Sequence, residues 1–195
     1  EKFGLQVERL RRNEVQQLET DVEVDVAGAV LFKDDCHFDP GKMITALKKH
    51  LESNGVRFQL HTTVTGFEKQ NNRVTAVLTD KGKTDADELI VATGSWLPVV
   101  MRMMGIRLLL QPGKGYSHTY DHVEKNLKYP AILVDGRCAI TPWKQRLRIG
   151  GTMELSGINN RVLIKRMQGI YESARNFYPG LTIDFPPADK IWNGL

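Results

Sequence analysis

The chain has 195 residues, of which 41% are apolar and 26% charged, and its formal net charge is +4. This length allows one good hydrophobic core or two small ones, and the composition is that of a globular protein. The positive charges lie in small scattered groups without interleaved aromatic residues, which argues against a nucleic-acid-binding surface. No apolar run is long enough for a membrane span. Cys36 and Cys138 have no metal-binding or redox spacing and are expected to be free thiols.

The N-terminal part predicts short strands and helices. Leu5–Leu10 is compatible with a strand or the lead-in to a helix, and Asn13 can cap a helix that runs to Leu18, with Gln16 in the capping-box position. A short apolar strand, G-A-V-L-F, is predicted at Gly28–Phe32.

The next helix has the clearest start signal in the chain. Asp39 can cap it and Pro40 occupies its first position, while Asn54-Gly55 ends it. One face of this helix is apolar, formed by Met43, Ile44, Leu47 and Leu51. A strand at Val56–Leu60 would then continue an alternation of β and α elements.

The middle of the chain predicts an antiparallel meander. Strands at Val64–Glu68 and Arg73–Thr79 are joined by a turn at Gln70-Asn71-Asn72, and a second tight turn follows at Asp80–Lys83.

The segment Glu88–Trp96, E-L-I-V-A-T-G-S-W, is the most informative of the chain. Leu89–Val91 predicts a buried strand, and Trp96–Met104 predicts a helix. Ser95 would be the N-cap residue of this helix. Between them, Ala92, Thr93 and Gly94 have little side-chain bulk. In open α/β sheets, a nucleotide often lies at such a point. An ordinary strand–turn–helix explains the same residues.

The second half is rich in predicted strands. They lie at Gly115–Tyr120, Ala131–Val134, Ala139–Thr141, Leu147–Gly151, Ile183–Phe185 and Ile191–Trp192, with a turn at Lys144–Arg146. One long helix is predicted at Asn160–Phe177. Its apolar stripe is expected to pack on the sheet, and consists of Leu163, Met167, Ile170, Ala174 and Phe177.

Several passages, in this order, resemble the D-amino-acid oxidase family of FAD-dependent oxidoreductases. They are F-K-D-D-C-H-F-D-P (Phe32–Pro40), H-T-T-V-T-G-F (His61–Phe67), the Glu88–Trp96 segment, K-G-Y-S-H-T (Lys114–Thr119), L-R-I-G-G-T-M-E (Leu147–Glu154) and W-N-G-L (Trp192–Leu195). The resemblance depends on the order and spacing of these passages more than on any single motif. Within the family, the sequence most resembles the bacterial D-amino-acid dehydrogenases, with the glycine oxidases as near relatives.

The resemblance implies an α/β fold, α+β in its second half. Residues 36–105 would be an incomplete Rossmann-like FAD-binding domain with a β-meander. Residues 1–35 and 106–195 would form a discontinuous substrate-binding domain, an antiparallel sheet covered by a long helix.

Two family features are absent from the sequence. They are the G-x-G-x-x-G turn that cradles the FAD pyrophosphate and the arginine that follows the position of Leu195 and holds the substrate carboxylate. The sequence is therefore expected to be an internal piece of a larger flavoenzyme, which alone binds FAD weakly or not at all and is inactive. Exposed faces of the FAD-binding half would favour self-association.

The resemblance implies oxidative deamination of a D-amino acid, glycine or a secondary amine by hydride transfer to FAD. This chemistry needs few acid or base residues, and no catalytic residue is predicted in the chain. FAD would contact Val64, Ala92, Thr93, Gly94 and Trp96. For Val64, a role as a core strand valine is compatible with this contact; for Trp96, core packing is an equally good explanation.

The substrate would contact Tyr116, His118 and Met153. The alternatives are a half-exposed strand pair for Tyr116 and His118, which share a strand face, and core packing for Met153. His118 and His122 have metal-compatible spacing, but without a third ligand no metal site is expected.

A competing interpretation is a non-catalytic α+β module that binds small ligands or another protein through its β-rich half. The expected location is the cytoplasm, with or without peripheral contact to the inner membrane. Neither nucleic acid nor metal is expected as a partner, and the identities of the substrate and the electron acceptor are left open by the sequence.

Overall fold

The structure is a computed structural model that describes residues 4–195. Its contacts divide the chain into two units. Unit 1 comprises the described residues up to Pro40 together with Lys114–Glu154 and Asn160–Gly194, and unit 2 comprises Gly41–Gly113, Leu155–Asn159 and Leu195. In chain order the elements are β1 Val7–Arg11, α1 Arg12–Leu18, β2 Gly28–Phe32, α2 Pro40–Ser53, β3 Val64–Gln70, β4 Arg73–Thr79, β5 Gly82–Asp85, α3 Leu97–Met103, β6 Lys114–Tyr120, β7 Ala131–Leu133, β8 Cys138–Trp143, β9 Arg146–Glu154, α4 Ile164–Phe177 and β10 Trp192–Gly194.

Unit 1 is built on a five-stranded antiparallel sheet in the order β10-β6-β9-β8-β7. Alternate residues of these strands point to opposite faces. The inner face, which includes Ile140, Leu147 and Ile149, belongs to a fully buried cluster with Met167 and Ile170 of α4. The predicted packing of the long helix on the sheet through its apolar stripe is therefore confirmed.

The long helix begins four residues later than predicted, at Ile164 instead of Asn160. The residues before it are used by β6: the Arg161 carbonyl accepts a hydrogen bond from Lys114 Nζ at 2.7 Å, and the Leu163 N–H donates to the Tyr116 hydroxyl at 3.4 Å. These tertiary hydrogen bonds keep residues 160–163 out of the helix, although the apolar pattern of the sequence favours a helix there.

The small ladder of β1 with β2 and the helix α1 complete unit 1. Helix α1 begins at Arg12, so the predicted Asn13 cap is wrong; the Arg11 N–H instead donates to the Glu14 carboxylate at 2.6 Å. Gln16 is not a capping residue either. Its amide donates to the Val22 carbonyl at 3.0 Å and accepts from the Val24 N–H at 2.9 Å, which fixes the loop after the helix.

Unit 2 contains α2, α3 and the predicted meander β3-β4-β5. Asn71 and Asn72 have φ of 50° and 64°, the left-handed conformation that a two-residue hairpin turn requires. Helix α2 begins at Pro40 and ends as predicted, with Gly55 at φ 85° after it. None of its residues is buried, so its apolar face is open to solvent.

Three predicted strands do not form. Val56–Leu60 and Leu89–Val91 have no ladder partner among the described residues, and Ile90 is 91% exposed. An apolar run becomes a strand only when a neighbouring strand satisfies its backbone groups. In the segment Ile183–Phe185, the carbonyls of Ile183 and Asp184 accept bonds from Tyr171 and Tyr120 side chains at 3.1 and 2.8 Å instead of ladder bonds.

The predicted helix after the Glu88–Trp96 segment is also shifted by one residue. Gly94–Trp96 form a 3-10 turn and α3 follows at Leu97, with Trp96 as its N-cap residue in place of Ser95. This start leaves Pro98 in the first helical turn, where a missing N–H costs no intrahelical bond. No helix within residues 4–195 has the length and apolarity that crossing a membrane requires.

Candidate functional site

The residues expected to contact FAD lie in unit 2, around the end of the Glu88–Trp96 segment. Ala92, Thr93 and Gly94 are all exposed, and Trp96 is about half exposed. Gly94 has φ 52°, and no atom lies within 4 Å of the place where its Cβ would be. The main chain is therefore open to a ligand at this bend, which fits contact with a dinucleotide. Val64, at the start of β3, is half-buried opposite Thr79.

An open groove of about 650 Å³ runs beside the same segment. Its walls are mainly apolar and include Leu89–Val91, Leu97, Met101 and Ile106; Arg73 and Asp87 also line it. The Arg73 guanidinium donates to the Asp87 carbonyl at 3.1 Å and holds the segment before the bend. The bend is thus not sealed by the protein's own side chains.

The residues expected to contact the substrate lie in unit 1, and the structure gives them different surroundings. Tyr116 is buried: its hydroxyl donates a short hydrogen bond to Glu154, and Lys114 Nζ lies 3.2 Å from the same carboxyl group. Lys114 is 0% exposed. This enclosed cluster joins the end of β9 to the segment before α4, so the Tyr116 side chain has a clear structural role.

His118 is half-buried and lies two residues after Tyr116 on β6, so the two side chains share one face of the strand. Its Nδ1 donates to the Lys190 carbonyl at 3.0 Å, and its ring meets that of Tyr120 edge-on at 4.5 Å between centroids. Burial raises the pKa of Tyr120, and its hydroxyl donates to the Asp184 carbonyl. The Nδ1 bond leaves Nε2 of His118 as the ring nitrogen through which a ligand could be contacted. Within the described residues, no group of three or more His, Cys, Asp or Glu side chains could hold a metal ion.

Met153 lies near the end of β9 and is 72% exposed. The preceding residue, Thr152, has φ 58°, and the pairing of β9 with β6 shifts register between Lys114 and Tyr116. This irregularity turns Met153 outward, so it is not a core methionine and is available to a ligand.

A further group on the outer face of the sheet was missed by the sequence analysis. Arg148 donates to Ser117 Oγ at 2.8 Å, and its guanidinium lies 5.3 Å from the Trp192 ring centroid. Trp192 is 57% exposed. The alternation in R-L-R-I, residues 146–149, is a signal that could have placed both arginines opposite the core.

The family of the chain follows from its similarity to known proteins. The family model described as FAD dependent oxidoreductase matches residues 1–195. The chain belongs to this family. The resemblance on which the sequence analysis depended is therefore confirmed.

Two similar relatives are the D-amino acid dehydrogenases of two bacteria. The chain is 32% identical over 172 residues to a D-amino acid dehydrogenase of Rhizobium johnstonii, and 34% identical over 172 residues to one of Sinorhizobium medicae. Each alignment covers 87% of this chain but 41% of the relative, so the chain spans about two fifths of the length of these relatives.

Solved structures confirm the mixed α/β fold. The glycine oxidase of Bacillus cereus superposes with a TM-score of 0.82 at 24% identity, covering 99% of this chain and 52% of that one. The L-proline dehydrogenase of P. horikoshii superposes with a TM-score of 0.83 at 19% identity, covering 99% and 53%. Both are likenesses of fold.

Proposed function

We propose that the chain is part of an FAD-dependent enzyme that oxidises D-amino acids, glycine or secondary amines. In this reaction FAD, when bound, would accept the hydride that the substrate Cα loses. Hydrolysis of the resulting imine would give a 2-oxo acid and ammonia, or a primary amine in place of ammonia where the substrate is a secondary amine. The observation behind the proposal is the family match over the whole sequence, together with relatives named D-amino acid dehydrogenase at 32–34% identity.

FAD, when bound, would supply the hydride acceptor, and the chain's residues would bind and orient it and the substrate. We propose that residues 36–105 contribute to FAD binding, through Val64, the backbone of Ala92–Gly94 and Trp96. The exposed bend and the space beside Gly94 support this assignment. In a protein of the relatives' length, Leu89–Val91 would become a strand by pairing with residues outside this sequence. The 195 residues alone are then expected to bind FAD weakly or not at all.

The substrate side would be formed by residues 1–35 and 106–195. Exposed Met153 and the half-buried His118 are the predicted substrate contacts that the structure leaves accessible. Tyr116 also remains a prediction, but its hydroxyl is already used by Glu154, so we expect it to support the strand more than to touch the substrate. A cytoplasmic location, with or without peripheral contact to the inner membrane, stays a prediction.

The test is to produce the protein from the open reading frame that contains these residues and to follow flavin absorption. We expect a yellow protein whose flavin band bleaches anaerobically on adding D-alanine and stays unchanged with L-alanine. A colourless product that takes up no FAD in titration would instead favour the non-catalytic α+β binding module.

The assignment of Gly94 can be tested with matched variants. Gly94 and Gly105 both have positive φ, 52° and 80°, and open space around the Cβ position, so replacement by valine strains both backbones. We expect Gly94→Val to weaken FAD binding in titration and Gly105→Val to leave it near the wild-type value. Equal loss in both variants would show that strain alone is responsible.

A further inference from the structure

The end of β9 carries one residue more than its ladder with β6 requires. Tyr116 pairs with Gly151, and Lys114 pairs with Glu154. One residue of β6 therefore lies opposite two residues of β9, which is the arrangement of a β-bulge. Because directly opposed side chains share a face of the sheet, the bulge puts Glu154 on the same face as Lys114.

The bulge reverses the two faces that the end of β9 would otherwise present. Leu147 and Ile149 are buried, and in regular alternation Met153 would follow them to the buried face. Glu154 would then point away from Lys114. In the structure Met153 is instead 72% exposed, and Glu154 is buried. The choice between the two registers thus decides whether Met153 is accessible to a ligand.

The residues of the bulge do not favour it by themselves. Thr152, which lies in the bulge, has φ 58°, a conformation that β-branched residues rarely adopt. Its Oγ1 is buried and has no hydrogen-bond partner among residues 4–195. Both features cost free energy that the surroundings must offset. The bulge therefore depends on an interaction with another part of the fold.

Three buried side chains supply that interaction. The Tyr116 hydroxyl donates a short hydrogen bond to Glu154, whose carboxylate lies 3.2 Å from Lys114 Nζ. Lys114 Nζ also donates to the Arg161 carbonyl at 2.7 Å, in the segment before α4. In the regular register Glu154 would leave the buried face, and Lys114 would lose this counter-charge at a large cost in free energy. The network thus stabilises the bulged register specifically.

We propose that Glu154 is a positioning residue of the substrate site. Its pairing with Lys114 and Tyr116 holds the bulge, and the bulge keeps Met153 at the surface for contact with the substrate. The inference rests on the proposed function in taking Met153 as a substrate contact, and it is independent of His118. Glu154 is itself enclosed by the protein, so it acts through the register of β9.

Thiol labelling of Met153→Cys in the 195-residue chain reports the register directly. In a Cys36→Ser background, we expect the introduced cysteine to react rapidly. A register variant, Lys114→Met combined with Glu154→Lys, favours the regular register because that register places the methionine inside and the lysine outside. It should slow labelling about tenfold or more, since a buried thiol reacts poorly. Slow labelling of buried Cys138 verifies that the core remains folded.

The matched control makes the same two changes at an exposed pair of unit 2, Lys83→Met with Glu68→Lys, and should leave the labelling rate unchanged. An unchanged rate in the register variant, with Cys138 still protected, would overturn the proposal. If Cys138 also reacts rapidly, the register variant is unfolded and Glu154→Gln decides, since it removes only the charge. Labelling slowed about twofold or more in Glu154→Gln supports the proposal, and an unchanged rate overturns it.

Steady-state kinetics of the full-length flavoprotein test whether the position of Met153 matters to the substrate. We expect Met153→Ala and the register variant each to raise KM for D-alanine about three- to tenfold, because one apolar contact is lost, and to change kcat less. Both remove the same contact, so their combination should raise KM no further. An unchanged KM in the register variant, or effects of the two changes that multiply, would overturn the link to the substrate.

The two experiments separate this proposal from the proposed function. Labelling needs neither flavin nor substrate, so slowed labelling supports Glu154 as the residue that sets the register even if no amino acid bleaches the flavin. In that case the proposed function fails, and the link from Glu154 to a substrate fails with it. A flavin that D-alanine bleaches, together with unchanged labelling, would leave the proposed function intact and overturn the role of Glu154.

Discussion

The two units differ sharply in how they use their apolar residues. In unit 1, a sheet and a helix enclose a continuous core that includes Ile140, Leu147, Ile149, Met167 and Ile170. In unit 2, Ala76 is the single buried apolar residue, prolines aside, among the described residues. Both units have well-formed helices and hairpins, so forming such elements does not by itself create a core.

The largest expected effect comes from the buried ion pair of unit 1. Removing one partner of the Lys114–Glu154 pair with Lys114→Met leaves a carboxylate in a buried site, which should lower the free energy of unfolding by about 3–5 kcal/mol. Urea denaturation followed by circular dichroism measures this.

The matched control is an exposed pair of unit 2, in which Lys83 Nζ lies 2.5 Å from the Glu68 carboxylate. Solvent screens such a pair, so Lys83→Met should change stability little. If Lys83→Met were as destabilising as Lys114→Met, the contrast between the units would not hold.

Core truncation is the next largest effect. We expect Ile149→Ala, in the core of unit 1, to cost about 2–4 kcal/mol through lost burial and the cavity it leaves. Leu47→Ala, on the exposed face of α2, should change stability by about 0.5 kcal/mol or less. Chemical denaturation of both variants gives the comparison; similar midpoints would mean that Leu47 is buried in solution.

The open faces of unit 2 should make the 195-residue chain self-associate, as the sequence predicted. Replacing Met43, Ile44 and Leu47 by serine removes exposed apolar surface from α2 and should reduce the associated fraction in sedimentation velocity. A wild-type chain that sediments as a monodisperse monomer would contradict this prediction.

The smallest expected effect is a difference in reactivity between the two thiols. It measures how well the core of unit 1 excludes solvent. Burial raises the pKa of Cys138 to about 11, so this thiol stays protonated at pH 8, whereas Cys36 is exposed. A thiol-reactive dye should therefore label one cysteine rapidly in the native protein and both after unfolding. Rapid labelling of both in the native state would indicate that the core opens.

Much of the fold could be predicted from local patterns. The Asn71-Asn72 turn, the Asp39-Pro40 helix start and the stripe of α4 each depend on neighbours within a few residues. The start of α4 and the irregular segment at Ile183 could not, because side chains distant in sequence take up their backbone groups. The same limit applies to Leu89–Val91, whose strand needs a partner that the described residues do not supply.

For the candidate site, the sequence determined the family, through the order of its motifs, and the small residues at the bend, since both are properties of residues along the chain. The tertiary structure decided that Tyr116 is enclosed, that Met153 turns outward, and that Arg148 meets Ser117 and Trp192. Strands from three separate parts of the chain bring that last group together. Because their register is fixed by the packed sheet, no local pattern in the sequence could reveal it.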